Sequence, residues 1–187
     1  MEQSFRELSE GPETTVPIAP GDLFEIALIV PDLEAAMDEF HQAFGYTWSP
    51  ILEGVLPTRD DAGEETFPPF RMTVSRESPQ LELMEAQPGT SIIPPTGTGL
   101  HHLGFYVDDL GDASERLASL GLPFECAGIA DGNVPDGWVY HRMADGTIVE
   151  LVDRNRAPLR KRLMEGHLPD SPWARRLVPV SDDLGGS

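Results

Sequence analysis

Cysteine is almost absent: Cys126 is the only one in 187 residues, which excludes an internal disulfide and is compatible with a reducing compartment. Cys126 itself reads as a small buried apolar side chain. Basic residues are also scarce. Thirteen Lys and Arg stand against 32 Asp and Glu, and a net charge of −19 argues against nucleic acid or anionic membrane as partners of the whole chain. No apolar run approaches the roughly 20 residues that span a bilayer. The acidic start Met1-Glu2-Gln3-Ser4 is unlike a secretory signal, so the expected location is cytoplasmic. With 40% apolar residues, the chain can bury one sizeable core or two small modules packed as one domain.

What is present centres on Gly99-Leu100-His101-His102-Leu103-Gly104-Phe105-Tyr106-Val107-Asp108-Asp109-Leu110, which reads as a mostly buried strand running into a helix capped by Asp108 or Asp109. His102, inside that strand, needs a partner to be buried without cost. The same pattern occurs upstream. Residues 25–36 superimpose on residues 102–113 without a gap, matching Val30 with Val107, Asp32 with Asp109, Leu33 with Leu110 and Ala36 with Ala113. Glu25 then corresponds to His102, and the chain reads as two related modules.

Taken in order, residues 1–20 read as a flexible N-terminal arm, 21–86 as the first module, 87–99 as a Pro- and Gly-rich linker, 100–156 as the second module, and 157–187 as a basic C-terminal extension. In the first module a strand over 24–30 leads into a helix over 33–44, stopped by Gly45. Strands follow over 46–56, 70–76 and 80–85, with an exposed loop over 57–69. The second module repeats this order with strands over 102–107, 123–129, 137–143 and 147–152 and a helix over 112–120. Residues 131–133 form a loop and Asp145-Gly146 a hairpin turn. The expected fold is α+β, two tandem βαβββ modules.

The basic residues cluster at the end: Arg154, Arg156, Arg160, Lys161, Arg162, Arg175 and Arg176 lie in the last 34 of 187 positions. Docking on the acidic body of the same chain is the preferred reading, ahead of a second subunit or an anionic substrate tail. A short helix is expected over 157–167, followed by a tail that packs through Trp173 or not at all.

The chemistry lies in a constellation of residues spread along the chain. First strands contribute Glu25 and His102, and fourth strands contribute Glu82 and Glu150. If the modules pair about a pseudo-twofold axis, these four positions converge in one cleft. Three carboxylates and an imidazole about 2 to 2.3 Å from a common point would hold a divalent cation, and without a cation the buried carboxylates would repel one another.

These features together resemble the vicinal oxygen chelate superfamily: the repeat, the Val30-Pro31-Asp32-Leu33 and Val107-Asp108-Asp109-Leu110 signatures, the Gly99-Leu100-His101-His102 approach, and Asp145-Gly146-Thr147-Ile148-Val149-Glu150-Leu151-Val152. The resemblance spans residues 22–153 and is greatest to the branch of glyoxalase I and methylmalonyl-CoA epimerase. It implies a vicinal oxygen chelate cleft and makes Glu25, Glu82, His102 and Glu150 the metal ligands. Glu25 departs from the His or Gln usual at its position. The added negative charge favours harder ions among Mn, Co, Ni, Mg, Zn and Fe.

The activity implied is that of a metal-dependent isomerase, epimerase or lyase that abstracts a proton next to a carbonyl, with Glu150 and Glu82 as the catalytic pair. The implied partner is a small-molecule carbonyl or thioester substrate, and the implied assembly a homodimer. His141, Tyr140 and Arg71 are candidate substrate-binding residues, although His141 and Tyr140 are adjacent on one strand and only one of them can point inward. His101 is expected on the opposite side of its strand from His102, as an outer-layer or surface residue, and His41 is a further, weaker candidate. Two alternatives stand beside this reading. One is a metal-free ligand-sequestering protein of the bleomycin-resistance type using Trp48, Phe70, Phe105, Trp138 and Tyr140. The other is a metal-dependent ring-cleaving dioxygenase.

Overall fold

Two strands of matching length, β1 (Leu23–Val30) and β7 (Leu100–Val107), lie antiparallel at the centre of one sheet. Their register is symmetric: Ile26 faces Leu103, and on either side Glu25 faces Gly104 and Ala27 faces His102. A pseudo-twofold axis therefore passes through the Ile26–Leu103 pair. The computed structural model describes residues 18–90, 92, 99–129 and 135–167 and the backbone of Val178–Pro179.

Each central strand feeds a helix across a capped turn. Asp32 accepts a hydrogen bond of 2.8 Å from Ala35 N to start α1 (Leu33–Phe44), which ends where Gly45 adopts φ 80°. Asp109 accepts one of 2.9 Å from Asp112 N to start α2 (Leu110–Ser119). This helix begins at Leu110, two residues before the expected start, because Asp109 is its cap.

The remaining strands are β2 (Leu52–Val55), β3 (Thr58–Asp60), β4 (Glu65–Thr66), β5 (Pro69–Val74), β6 (Gln80–Glu85), β8 (Phe124–Ile129), β9 (Pro135–Arg142), β10 (Ile148–Asp153) and β11 (Val178–Pro179). Sheet order is β11-β2-β5-β6-β1-β7-β10-β9-β8-β3-β4. Outward from the axis, β1-β6-β5-β2 and β7-β10-β9-β8 carry the same order, with β6 parallel to β1 and β10 parallel to β7. The fold is α+β, with tandem βαβββ units building a mixed, curled half-barrel.

The sequence-based expectation departs from the structure on either side of β2. The expected strand over 46–56 is reduced to β2 and a single bridge between Trp48 and Ser75. Pro50 has no N–H for the ladder, and Ser49 Oγ instead accepts a hydrogen bond of 3.1 Å from Val74 N. Residues 57–69, expected to be an exposed loop, contain the β3–β4 hairpin. Asp60 caps its turn by accepting from Ala62 N and Glu64 N at 3.0 and 2.8 Å, while Thr58 Oγ1 and Thr66 Oγ1 share a hydrogen bond of 2.7 Å. Only Leu56 and Pro57 separate β2 from β3, yet β3 pairs with β8 at the far side of the sheet, so the sheet curls until its ends approach.

Apolar residues fill three clusters. Leu33 and Ala36 of α1 cluster with Leu83, and Ala113 and Leu117 of α2 with Val107, Val139 and Leu151. Ile29, Leu52, Phe70, Met84 and Ile92 line the inner face of the first unit, where Leu163 of α3 (Ala157–Met164) joins them. Helix α3 is shorter than the expected 157–167 and ends before Gly166, whose φ is 84°. Ile18, assigned to the N-terminal arm on sequence grounds, packs against the second cluster. The expected loop at 131–133 and the expected packing through Trp173 lie outside the described residues, as do residues 1–17. Val178–Pro179 pairs with Leu52 and Glu53 through the backbone.

Candidate metal centre

Register alone places four polar side chains on the inner face. Glu25 pairs with Gln80 and Ala27 with Glu82 across β1 and β6, while His102 pairs with Ile148 and Gly104 with Glu150 across β7 and β10. Residues two apart on a strand share a face, so Glu25 and Glu82 in one unit match His102 and Glu150 in the other. All four are buried. Ligand atoms of Glu25, Glu82 and His102 lie within 4.8 Å of one another. Glu150 joins the trio through His102, whose Nε2 lies 3.3 Å from Glu150 Oε2 and 3.7 Å from Glu25 Oε1.

Paired bulges shape the approach to these positions. Between Leu23–Phe105 and Glu25–Gly104, β1 carries one extra residue, Phe24; between Ala27–His102 and Leu28–Leu100, β7 carries one extra residue, His101. A bulge suspends the strict alternation of side chains. His101 is accordingly buried beside His102, Nδ1 to Nδ1 at 2.8 Å, and does not reach the surface on the far face. Phe24 stacks on Tyr106 with ring centroids 3.9 Å apart. On the other flank the Tyr140 ring stands 5.3 Å from that of His102 and 4.7 Å from that of Trp138.

A residue that sequence reasoning did not single out reaches into the cluster. Arg160 of α3 places Nη2 against Glu25 Oε2 and 3.3 Å from Glu82 Oε2, with its guanidinium 4.9 Å from the centre of the Phe24 ring. The signal was the excess of basic residues after Arg154, and docking on the protein's own acidic body is what Arg160 does.

Burial sets the electrostatics. It pushes the Glu82 carboxyl up to about 7, assisted by the charge of Glu150 and opposed by that of His102. For His102, burial acts against the imidazolium, but the charge and contact of Glu150 and the charge of Glu82 outweigh it and raise the pKa. Burial lowers Arg160 to about 9, which leaves it charged at neutral pH. Tyr140 is pushed well above its ordinary value by burial and then by the charges of Glu150 and Glu82. The Cys126 thiol rises to about 12, chiefly through burial, so it is inert at neutral pH.

The donor set fits a divalent cation. Glu25 Oε1 and His102 Nε2 are buried and have no hydrogen-bond partner. Two donors bound to one ion at about 2.1 to 2.3 Å stand about 3.0 to 3.8 Å apart in octahedral or tetrahedral geometry, which the His102 Nε2 separations match. Gly104 makes room for this set. A Cβ there would meet Glu25 Cγ at 2.6 Å and Oε1 at 2.7 Å.

Other candidates are turned away from the cluster. His141 is buried on the α2 side: its Nδ1 donates to Leu122 O at 2.9 Å, so Nε2 accepts from Ser114 Oγ at 2.8 Å. Its neighbour Tyr140 is the one that faces inward. Arg71 bonds Glu34 at 2.7 Å and also pairs with Glu85 and Glu53, away from the cluster. His41 holds Tyr46 O at 2.9 Å on the surface. Trp48 and Phe105 pack in the outer clusters and Phe70 in the inner core, leaving Trp138 and Tyr140 beside the site.

Similar structures include methylmalonyl-CoA epimerase from Mycobacterium tuberculosis, with 21% identity and a TM-score of 0.46 over 71% of this chain and 87% of that one. A variant of the Streptomyces coelicolor methylmalonyl-CoA epimerase, in complex with 2-nitronate-propionyl-CoA, has 17% identity and a TM-score of 0.47 over 71% of this chain and 93% of that one. A variant of 4-hydroxymandelate synthase from Streptomyces coelicolor has 19% identity and a TM-score of 0.48 over 73% of this chain and 39% of that one. No curated protein sequence matches the chain. The sequence profile of one family matches residues 24–140, and the chain belongs to that family, the Glyoxalase/Bleomycin resistance protein/Dioxygenase superfamily.

Proposed function

We propose that this protein is a metal-dependent isomerase, epimerase or lyase that moves a proton on the carbon next to a carbonyl. The observation that carries the reading is the buried trio of Glu25, Glu82 and His102, joined by Glu150 through His102. Glu25, Glu82, His102 and Glu150 are the proposed ligands of a divalent ion. A bound divalent ion supplies Lewis-acid stabilisation of negative charge on a carbonyl oxygen.

Proton movement falls to the carboxylates. Glu82, buried in the cluster, is the proposed base, placed to take a proton from a substrate carbon and return it. Glu150, at the equivalent position of the other unit, is its proposed partner across the pseudo-axis. Tyr140, Trp138, Tyr106 and Phe24 offer the walls against which a small carbonyl or thioester substrate would be oriented. Of the basic stretch, Arg154 is already paired with Asp22 and Asp108, and Arg160 with Glu25 and Glu82, while Lys161 and Arg162 remain exposed.

One observation favours the metal-free ligand-binding reading: Arg160 already supplies a positive charge beside Glu25 and Glu82. Elemental analysis separates the two. Near-stoichiometric divalent metal in the wild type, lost in the His102→Ala, Glu150→Ala double variant, together with exchange of substrate α-protons for solvent deuterium, is the expected result. Absence of metal after supply of Mn, Co, Ni, Zn and Fe in turn, with tight binding of a planar ligand in chelator, would overturn the enzyme reading.

A further inference from the structure

We propose that Arg160 and a divalent ion compete for Glu25 and Glu82, so that ion binding undocks helix α3 from the inner face of the sheet. The inference rests on the proposed metal site. It begins with where the guanidinium sits: one nitrogen, Nη2, contacts the Oε2 atoms of both carboxylates. Those residues are two of the three whose ligand atoms converge within 4.8 Å. A divalent ion drawn to the same carboxylates meets a fixed positive charge at close range in a buried setting, where repulsion is poorly screened.

Charge counting gives the same answer. Glu25, Glu82 and Glu150 carry three negative charges when ionised, and Arg160 offsets one of them. The metal-free cluster is thus partly compensated by a residue of this chain, and that residue is the one most directly opposed to an incoming cation.

Helix α3 is built to leave. It has eight residues, too few for stability by themselves, has no side-chain cap at its N-terminus and contains no fully buried residue. Beside the Arg160 ion pairs, Leu163 packs on the inner cluster and Gln80 Nε2 donates a 3.0 Å hydrogen bond to Met164 Sδ. Gln80 flanks Glu25 in the register of β1 and β6, so the docked helix covers the cluster from the first unit's side. Undocking would open that side to substrate.

The test uses the full chain and Mn²⁺. Hydrogen exchange of the amides of residues 157–166 is measured with and without Mn²⁺, and Mn²⁺ affinity is measured for wild type, Arg160→Met and Lys161→Met. Faster exchange in this segment on Mn²⁺ addition is expected, with affinity about ten-fold or more tighter in Arg160→Met and unchanged in Lys161→Met. Mn²⁺ binding with unchanged or slowed exchange, or with unchanged or weaker affinity in Arg160→Met, would overturn the competition and leave the metal site standing. Failure of wild type and Arg160→Met alike to bind Mn²⁺, Co²⁺, Ni²⁺, Zn²⁺ or Fe²⁺ would overturn both. The exchange measurement on wild type stands even where the variant does not fold.

Discussion

Glu25 lies directly across Gly104, its cross-strand partner, so closely that a Cβ at position 104 would sit 2.6 Å from Glu25 Cγ. The glycine is therefore part of the site, since it clears the space through which the carboxylate reaches His102. Gly104→Ala is expected to push Glu25 out of place, costing about 1 to 3 kcal/mol of stability through overpacking. Urea denaturation reads the stability, and metal content per chain reads the site. Retention of full metal content in a stable Gly104→Ala protein would show that Glu25 is not a required ligand.

His141 was a candidate for substrate binding on sequence grounds, but both ring nitrogens are committed to Leu122 O and Ser114 Oγ between β9 and α2. His141→Ala leaves these groups unpaired and opens a cavity. A loss of about 2 to 4 kcal/mol in denaturation experiments is expected. In material kept folded at low temperature, the KM should match that of wild type. A raised KM with unchanged stability would restore His141 to the substrate site.

Arg71 lies in a partly exposed network with Glu34, Glu53 and Glu85, and the first of these holds its guanidinium above the ordinary value. Such pairs contribute little. Arg71→Ala is expected to change stability by no more than about 1 kcal/mol and to leave substrate binding untouched, as steady-state kinetics would show.

The equivalence of Glu25 with His102 was legible because it rests on a periodic pattern: strand, capped turn, helix, repeated after a fixed interval. Glu82 and Glu150 followed from their places in that pattern. What alternation cannot reveal is an interruption of alternation. The bulges at Phe24 and His101 depend on how two strands align across the axis, and only that alignment brings His101 beside His102. The hairpin over Thr58–Thr66 was hidden for a related reason: its strands are short and polar, and β8, the partner of β3, lies far along the chain. Arg160 was visible only as one of several basic residues, because a helix docking back on the sheet is a long-range event without a local signature.

Protonation of the cluster predicts how metal-free stability varies with pH. The Glu82 carboxyl is raised from an ordinary 4.5 to about 7 in the fold, so the folded state binds this proton more tightly than the unfolded state. Its contribution is fully present below pH 4.5 and is lost as pH rises to about 7. His102, also raised, adds a loss in the same direction as pH rises above its ordinary 6.5. Chelator-treated protein is expected to lose up to about 3 kcal/mol between pH 5 and pH 8 from Glu82 alone. Glu82→Gln, which removes the titrating carboxyl but retains its shape, should flatten the curve, leaving the slope from His102. Denaturation of both proteins at pH 5, 6, 7 and 8 checks this, and parallel curves would mean that Glu82 titrates normally in the fold.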